Sequence, residues 1–330
     1  MSAILEVKNL NLGFNLSEGF SQAIYDVSFS LNKGETLAIV GESGCGKTIS
    51  TMSVLQLLPQ TAQIKSGEII YNGENLLSFN QKQMQKIRGK KIALIPQDPM
   101  TSLNPLYTIG NQMLEIIELH QNVKVKEAFN IAVEALERVK IPDAKAKMKS
   151  YPHEFSGGMK QRVIIAMALA CNAEIIIADE PTTALDVTVQ AQIMEILRDV
   201  KEKFNMSVIL ITHDLGIVAQ NADKIAVMYA GRVVEYAPVD ELFNDRFPNE
   251  YLGDTNLRLA VDVSQMVGIR FGETIKAYVE KYGDASRLTA LPLGIAGWLR
   301  YMLGVDDEGN KFELAPDPMN EELQEQFKDI

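Results

Sequence analysis

The stretch GESGCGKT, Gly41 to Thr48, has the residue types of a phosphate cradle. Its spacing fits G-x-x-x-x-G-K-[ST]. Gly41, Gly44 and Gly46 let the backbone bend until its N–H groups approach phosphate oxygens. Glu42, Ser43 and Cys45 fill the variable positions of that same cradle. Lys47 can reach the β- and γ-phosphates of a nucleoside triphosphate, and the Thr48 hydroxyl can ligate Mg²⁺. A second stretch, EFSGGMKQR (Glu154 to Arg162), also reads as an anion site, with a serine, two glycines and then a basic helix-like run. Two such loops in one chain raise the question of what the second one holds.

Carboxylates follow the second loop. IIIADEP, Ile175 to Pro181, is an apolar run ending in Asp179 and Glu180. At the C-terminal end of a buried parallel strand, both would stand at the ligand edge of the sheet. Asp179 suits the Mg²⁺ shell, and Glu180 suits orienting or deprotonating an attacking water. Acidic residues also end strands simply because strands end at the surface. The phosphate loop upstream tips the balance toward chemistry. His213, in ITHDL, can donate a hydrogen bond to a γ-phosphate. Gln97, after IALIP, can reach the metal or the water.

These groups need elements to position them. ETLAIV, KIALIPQD, EIIIADE and SVILITHD read as buried strands, and KIAVMYAGRVVEY as one more. Helices are expected over 49–58, stopping at Pro59, over 110–139, and over 159–170, 187–204 and 215–220. SGEIIYNGENL reads as strand, Asn72-Gly73 turn, strand. Strands alternating with helices predict an α/β fold with a mostly parallel sheet covered by helices.

Composition sets outer bounds. The chain has 330 residues, 46% apolar, enough for a sizeable core and two modest domains. Its net charge of −11 disfavours a general nucleic-acid surface. Two cysteines, Cys45 and Cys171, make no disulfide framework and fit a reducing compartment. The N-terminus has no apolar signal core, and no apolar run reaches the ~18 to 20 residues that span a bilayer. Any membrane role must come through a partner.

GESGCGKT, Gln97, FSGGMKQR, IIIADEP, ALD (Ala184 to Asp186) and His213 stand in the order of an ABC-type ATPase. PQDPMTSLNPLYTIGNQM and the run from Tyr151 through Ile193 look especially like the ATP-binding subunits of oligopeptide and dipeptide importers. The resemblance covers about residues 3–245. It implies a P-loop NTPase core, an antiparallel β subdomain and a helical subdomain at about 100–160 that contacts membrane subunits. It implies ATP with Mg²⁺ as ligands, and Thr48, Gln97 and Asp179 around the metal. It also answers the question of the second loop. In this family Ser156, Gly157 and Gly158, with Gln161 beyond them, close over the γ-phosphate held by a facing subunit. Two cassettes, identical or related, thus enclose two ATP molecules, and Asp186 communicates across the seam. Phe14 lies where the family places an aromatic against adenine, though an aromatic in an N-terminal strand also fits a core. The implied partners are a second ATPase subunit, transmembrane permease subunits and, indirectly, an external solute-binding protein. The implied location is the cytoplasmic face of the cell membrane, peripherally attached.

Past about Asp245 that pattern stops. Residues 246–330 resemble the C-terminal part of the mannitol dehydrogenase and fructuronate reductase family, mainly α-helical. The dinucleotide-binding domain and upstream Lys, Asn and His cluster of that family are missing. Ser264, Gln265, Arg270 and Lys276 therefore read as solvated or packing residues. Ile269, Ile275, Leu293, Ile295 and Trp298 need something to pack against. The tail holds 9 Lys and Arg against 15 Asp and Glu, −6 of the −11. Two alternatives stay open at this point: a soluble ABC ATPase uncoupled from transport, and a hybrid chain whose tail is non-catalytic or impairs docking.

Overall fold

The computed structural model describes residues 3–244 apart from residues 18 and 184. The helical expectation for 246–330, and every side chain named in it, lies outside the described residues.

The chain opens with a long antiparallel hairpin, β1 (Ala3–Leu16) and β2 (Gly19–Asn32), and then enters β3 (Thr36–Val40). Helix α1 (Lys47–Val54) follows the phosphate loop. β4 (Ala62–Tyr71) and β5 (Glu74–Asn75) turn at Asn72 and Gly73, both at positive φ. α2 (Gln81–Ile87), β6 (Ile92–Ile95) and the short α3 (Pro99–Ser102) come next. Four helices then run together: α4 (Ile109–Gln121), α5 (Val125–Arg138), α6 (Ala144–Lys147) and α7 (Gly157–Ala170). The chain continues through β7 (Ile175–Asp179), α8 (Val187–Phe204), β8 (Ser207–Thr212), α9 (Leu215–Asn221), β9 (Lys224–Tyr229), β10 (Arg232–Pro238) and α10 (Val239–Asn244).

Two sheets result. One is antiparallel, in the order β2-β1-β4-β5; the other runs β10-β9-β3-β8-β7-β6. Every pairing from β9 to β6 is parallel, and only β10 runs antiparallel, on β9. β3, β7 and β8 are buried at every residue, as strands covered on both faces must be. Their side chains alternate between two cores. Ile175, Ile177, Ile209 and Ile211 join the core under the antiparallel sheet and α1. Ile176, Ala178, Val208 and Leu210 join the core of the helical lobe, with Met113, Ile117, Leu136 and Val163.

Three expected elements differ. The run 224–236 is two strands, because Ala230 and Gly231 both take left-handed φ and make a two-residue hairpin turn. The helix expected over 49–58 begins at Lys47 and ends at Val54, well before Pro59. Gln56 ends it, in the left-handed conformation (φ 49°), with Leu57 N–H on the Met52 carbonyl and Gln56 N–H on the Ser53 carbonyl, both at 3.0 Å; Arg88 then donates from Nε to the Leu55 carbonyl at 2.7 Å and from Nη2 to the Gln56 carbonyl at 3.1 Å. Those carbonyls stand at and just past the helix C-terminus, where a cation is favourable. The helical stretch 110–139 is broken in two, since Asn122 (φ 55°) closes α4 in the left-handed conformation.

Candidate functional site

The phosphate loop joins the C-terminal end of β3 to α1. Gly41 sits against the Met228 carbonyl so closely that a Cβ there would lie 2.2 Å from its oxygen. Gly46 precedes α1 at φ 104°, a conformation that favours glycine. Lys47 is buried, 5% exposed, and its Nζ donates to the carbonyls of Gly41 (2.7 Å) and Glu42 (2.8 Å). The loop thus wraps around the ammonium of its own lysine. Burial raises the Glu42 carboxyl and the Cys45 thiol above their ordinary ranges, with Lys47 opposing both. The Cys45 thiol is therefore held protonated, as a small packing residue.

Thr48 Oγ1 donates to Asp179 Oδ1 at 3.1 Å, bringing the start of α1 to the end of β7. Asp179 is 3% exposed. Burial pushes its carboxyl above the usual range; the Thr48 hydrogen bond pulls it back, Glu180 adds to the push, and Lys47 pulls it down. A buried carboxylate beside a hydroxyl is a hard, oxygen-only donor set of the kind Mg²⁺ takes, with phosphates and waters completing the shell. Among the described residues no cluster of three or more His, Cys, Asp or Glu could hold a metal unaided.

Glu180 lies one residue beyond β7, at φ 45°. Its N–H is fixed to the Ile211 carbonyl at 2.9 Å. Glu180 Oε2 accepts from Gln97 Nε2 at 2.9 Å and from Thr183 Oγ1 at 2.9 Å. Its Oε1 lies 3.7 Å from His213 Nδ1. The ends of β6, β7 and β8 thus deliver Gln97, Glu180 and His213 to one cluster, next to the Thr48–Asp179 pair. A carboxylate held by two donors, beside a loop lined with backbone N–H groups, can orient water against a bound phosphoryl group.

The second loop is built differently. Ser156 caps α7, its hydroxyl accepting from Met159 N at 3.3 Å. Gly157 and Gly158 are the first residues of that helix, where N–H groups have no intrahelical partner. Both glycines abut the chain after Glu180: added Cβ atoms would lie 3.7 Å from Leu185 Cδ2 and 2.5 Å from Val189 Cγ1. Asp186 caps α8, Oδ1 accepting from Val189 N at 3.0 Å. Gln161 is 1% exposed, with both amide atoms buried in its own lobe. Gln161 lies three and four residues beyond Gly158 and Gly157, so it shares with them the face of α7 that packs against the chain after Glu180. Phe14 is half-buried between its β2 and β4 neighbours and packs on the core beneath the antiparallel sheet.

Thr183 was not among the residues picked out from the sequence. A signal was present: Glu-Pro-Thr-Thr has proline at the second position of a turn, and Thr183 N does donate to the Glu180 carbonyl at 3.1 Å.

A parallel α/β core with a phosphate loop, a strand-end acid pair and a separate helical lobe defines a P-loop nucleotide-binding cassette. The ABC transporter family model matches residues 24–183. The oligopeptide transport ATP-binding protein OppD of Bacillus subtilis (strain 168) is 52% identical over 246 residues, 74% of this chain and 69% of that one. The dipeptide transport ATP-binding protein DppD of Lactococcus lactis subsp. cremoris (strain MG1363) is 51% identical over 241 residues, 73% and 69% of the two chains. The ATP-binding cassette MJ0796, solved as a dimer in a post-hydrolysis state with ADP and Pi, superposes with a TM-score of 0.64 at 27% identity, over 71% of this chain and 98% of that one. CbiO1 from Clostridium perfringens, part of the ABC transporter complex cbiONQ, gives 0.66 at 26% identity, over 80% and 100%. The chain belongs to the ABC transporter ATP-binding family. A second family model, the mannitol dehydrogenase C-terminal domain, matches residues 218–329 and so begins within α9, ahead of the boundary expected at 246.

Proposed function

We propose that this chain is the ATP-hydrolysing subunit of an importer of oligopeptides or dipeptides. It works as one of two facing cassettes, attached to permease subunits at the cytoplasmic face of the membrane, with an external binding protein delivering the solute. About half-identity to relatives named for oligopeptide and dipeptide transport supports the substrate class. A dimeric cassette among the similar structures supports the pairing. Among the described residues no helix is long and apolar enough to cross a membrane. Residues 1–245 form the cassette in this reading, and 246–330 a tail without catalysis of its own.

The observation that carries the proposal is the convergence of Lys47, Thr48, Asp179, Glu180 and Gln97. In the proposed cycle the Gly41–Thr48 loop, with Glu42, Ser43, Cys45 and the other backbone N–H groups, binds the phosphates of ATP. Lys47 exchanges its two carbonyl partners for phosphate oxygens. Thr48, Asp179 and Gln97 would hold Mg²⁺, which when bound neutralises charge on the phosphates. Glu180 accepts the proton of the attacking water, His213 donates to the γ-phosphate, and Phe14 lies against adenine. Ser156, Gly157 and Gly158 complete the pocket of the facing subunit, with Asp186 at the seam. ATP favours the closed pair, and its hydrolysis to ADP and phosphate releases it.

The test is reconstitution with co-expressed permease subunits and binding protein. ATP-dependent uptake of a labelled short peptide is expected, and Glu180→Gln should abolish it. ATP hydrolysis by the chain with no uptake of any peptide would favour a cassette uncoupled from peptide transport.

A further inference from the structure

We propose that Thr183 is a positioning residue for Glu180, selecting which carboxylate oxygen acts on water. The inference rests on reading Glu180 as the base. The two oxygens of Glu180 have different surroundings. Oε2 accepts from Gln97 Nε2 and from Thr183 Oγ1, both at 2.9 Å. Oε1 faces the exposed His213 at 3.7 Å. Two donors on one oxygen spend its lone pairs and fix the plane of the carboxylate. Oε1 is left as the oxygen that meets water.

The two donors are not equivalent. Gln97 is exposed and sits on the segment leading into α3. Thr183 is tied to Glu180 by the chain itself. Glu180, Pro181, Thr182 and Thr183 form a turn closed by Thr183 N–H to the Glu180 carbonyl at 3.1 Å. Pro181 and Thr182 are buried, which keeps the turn in place. Glu180 itself is held at φ 45°, a strained conformation for a non-glycine residue that needs its surroundings to maintain it. The turn supplies both the backbone bond that holds this conformation and the hydroxyl that aims the side chain. The Thr183 hydroxyl therefore accompanies Glu180 whatever Gln97 does, and Gln97 is the donor that can leave.

The experiment uses the purified full-length chain, with nucleotide affinity measured by a fluorescent ATP analogue and kcat and KM by phosphate release. Thr183→Val keeps the shape and removes the hydroxyl; Thr183→Ala guards against a packing defect in the valine variant. Loss of a hydrogen bond to a charged group predicts about a 10-fold fall in kcat for both, with affinity and KM within about 2-fold. Thr183→Ser keeps the hydroxyl and should recover kcat to within about 3-fold of the parent. Parent-like kcat in the valine and alanine variants, failure of serine to recover activity, or affinity falling in step with kcat would each overturn the inference. Glu180→Gln separates the two levels. If it is inactive while Thr183→Val is parent-like, the positioning role alone is lost; if it hydrolyses ATP like the parent, the base reading is lost and the positioning role with it.

Discussion

The loop at Gly41–Thr48 and the loop at Ser156–Gly158 use the same residue types in opposite settings. The first is finished at home: its lysine is buried against its own carbonyls, and its threonine is bonded to Asp179 of the same chain. The second has an exposed serine that caps its own helix, and two glycines, one in ordinary contact with Leu185 and the other tight against Val189. One loop closes on its own chain, and in the proposed reading the other completes a pocket on a facing one. The difference lies in what surrounds each loop, since a short glycine-rich motif ahead of a helix fits either setting.

That contrast can be broken most directly at Lys47. Lys47→Ala should weaken ATP binding about 100-fold or more in the isolated chain, measured by titration calorimetry, through loss of a charge-assisted phosphate contact. Glu180→Gln should leave that affinity intact and lower kcat about 100- to 1,000-fold. It should also let ATP-bound pairs accumulate on a sizing column; equal elution with and without ATP would count against the facing-cassette reading. Gly158→Ala should lower hydrolysis about 10-fold while single-chain affinity stays within about 2-fold, because the added methyl would stand 2.5 Å from Cγ1 of the stiff Val189 and shift α7 against α8, away from the Gly41–Thr48 loop. The comparison is sharpest within the first loop. Gly41→Ala drives a methyl into the Met228 carbonyl, whereas nothing lies within 4 Å of a Cβ at Gly44. Thermal melts should show a loss of about 3 kcal/mol or more at Gly41 and about 1 kcal/mol at Gly44, the latter from left-handed strain alone.

A last, smaller effect marks a place remote from both loops. Glu174 joins Tyr71 of the antiparallel sheet to Lys91 ahead of β6. Burial raises its carboxyl, but hydrogen bonds from Lys91 and Tyr71 outweigh burial and leave it below the ordinary value of 4.5. A depressed carboxylate stabilises the fold above its unfolded value and stops doing so as pH falls through the folded one. The stability gap between parent and Glu174→Gln should therefore be present at pH 7 and shrink below about pH 4 in chemical denaturation, with nucleotide affinity unchanged.

Much of this was legible in the residues. β7 and α8 follow directly from IIIAD and from an amphipathic run that starts at an aspartate cap. Buried parallel strands are continuous apolar runs, and those are hard to misread. What was not legible depends on distant partners. Where α1 ends is set by a left-handed Gln56, whose carbonyl Arg88 holds from more than thirty residues away, and not by Pro59. The split of 224–236 lies in two left-handed residues, of which Ala230 carries no warning in its type. Gln161 reads as a polar member of a phosphate motif, and only the packing of α7 shows that its side chain is buried. For Thr183 the sequence carried the turn, in Glu-Pro-Thr-Thr, but not the hydroxyl contact to Glu180 that the closed turn makes.

One consequence comes from the alternation along β7. Its odd-numbered isoleucines, Ile175 and Ile177, answer to the antiparallel sheet, and its even positions, Ile176 and Ala178, to the helical lobe. A protein engineer could soften either lobe by trimming one parity of a single strand, leaving its opposite number intact. The acids at the strand's tip would then report, through turnover, which lobe sets the pace.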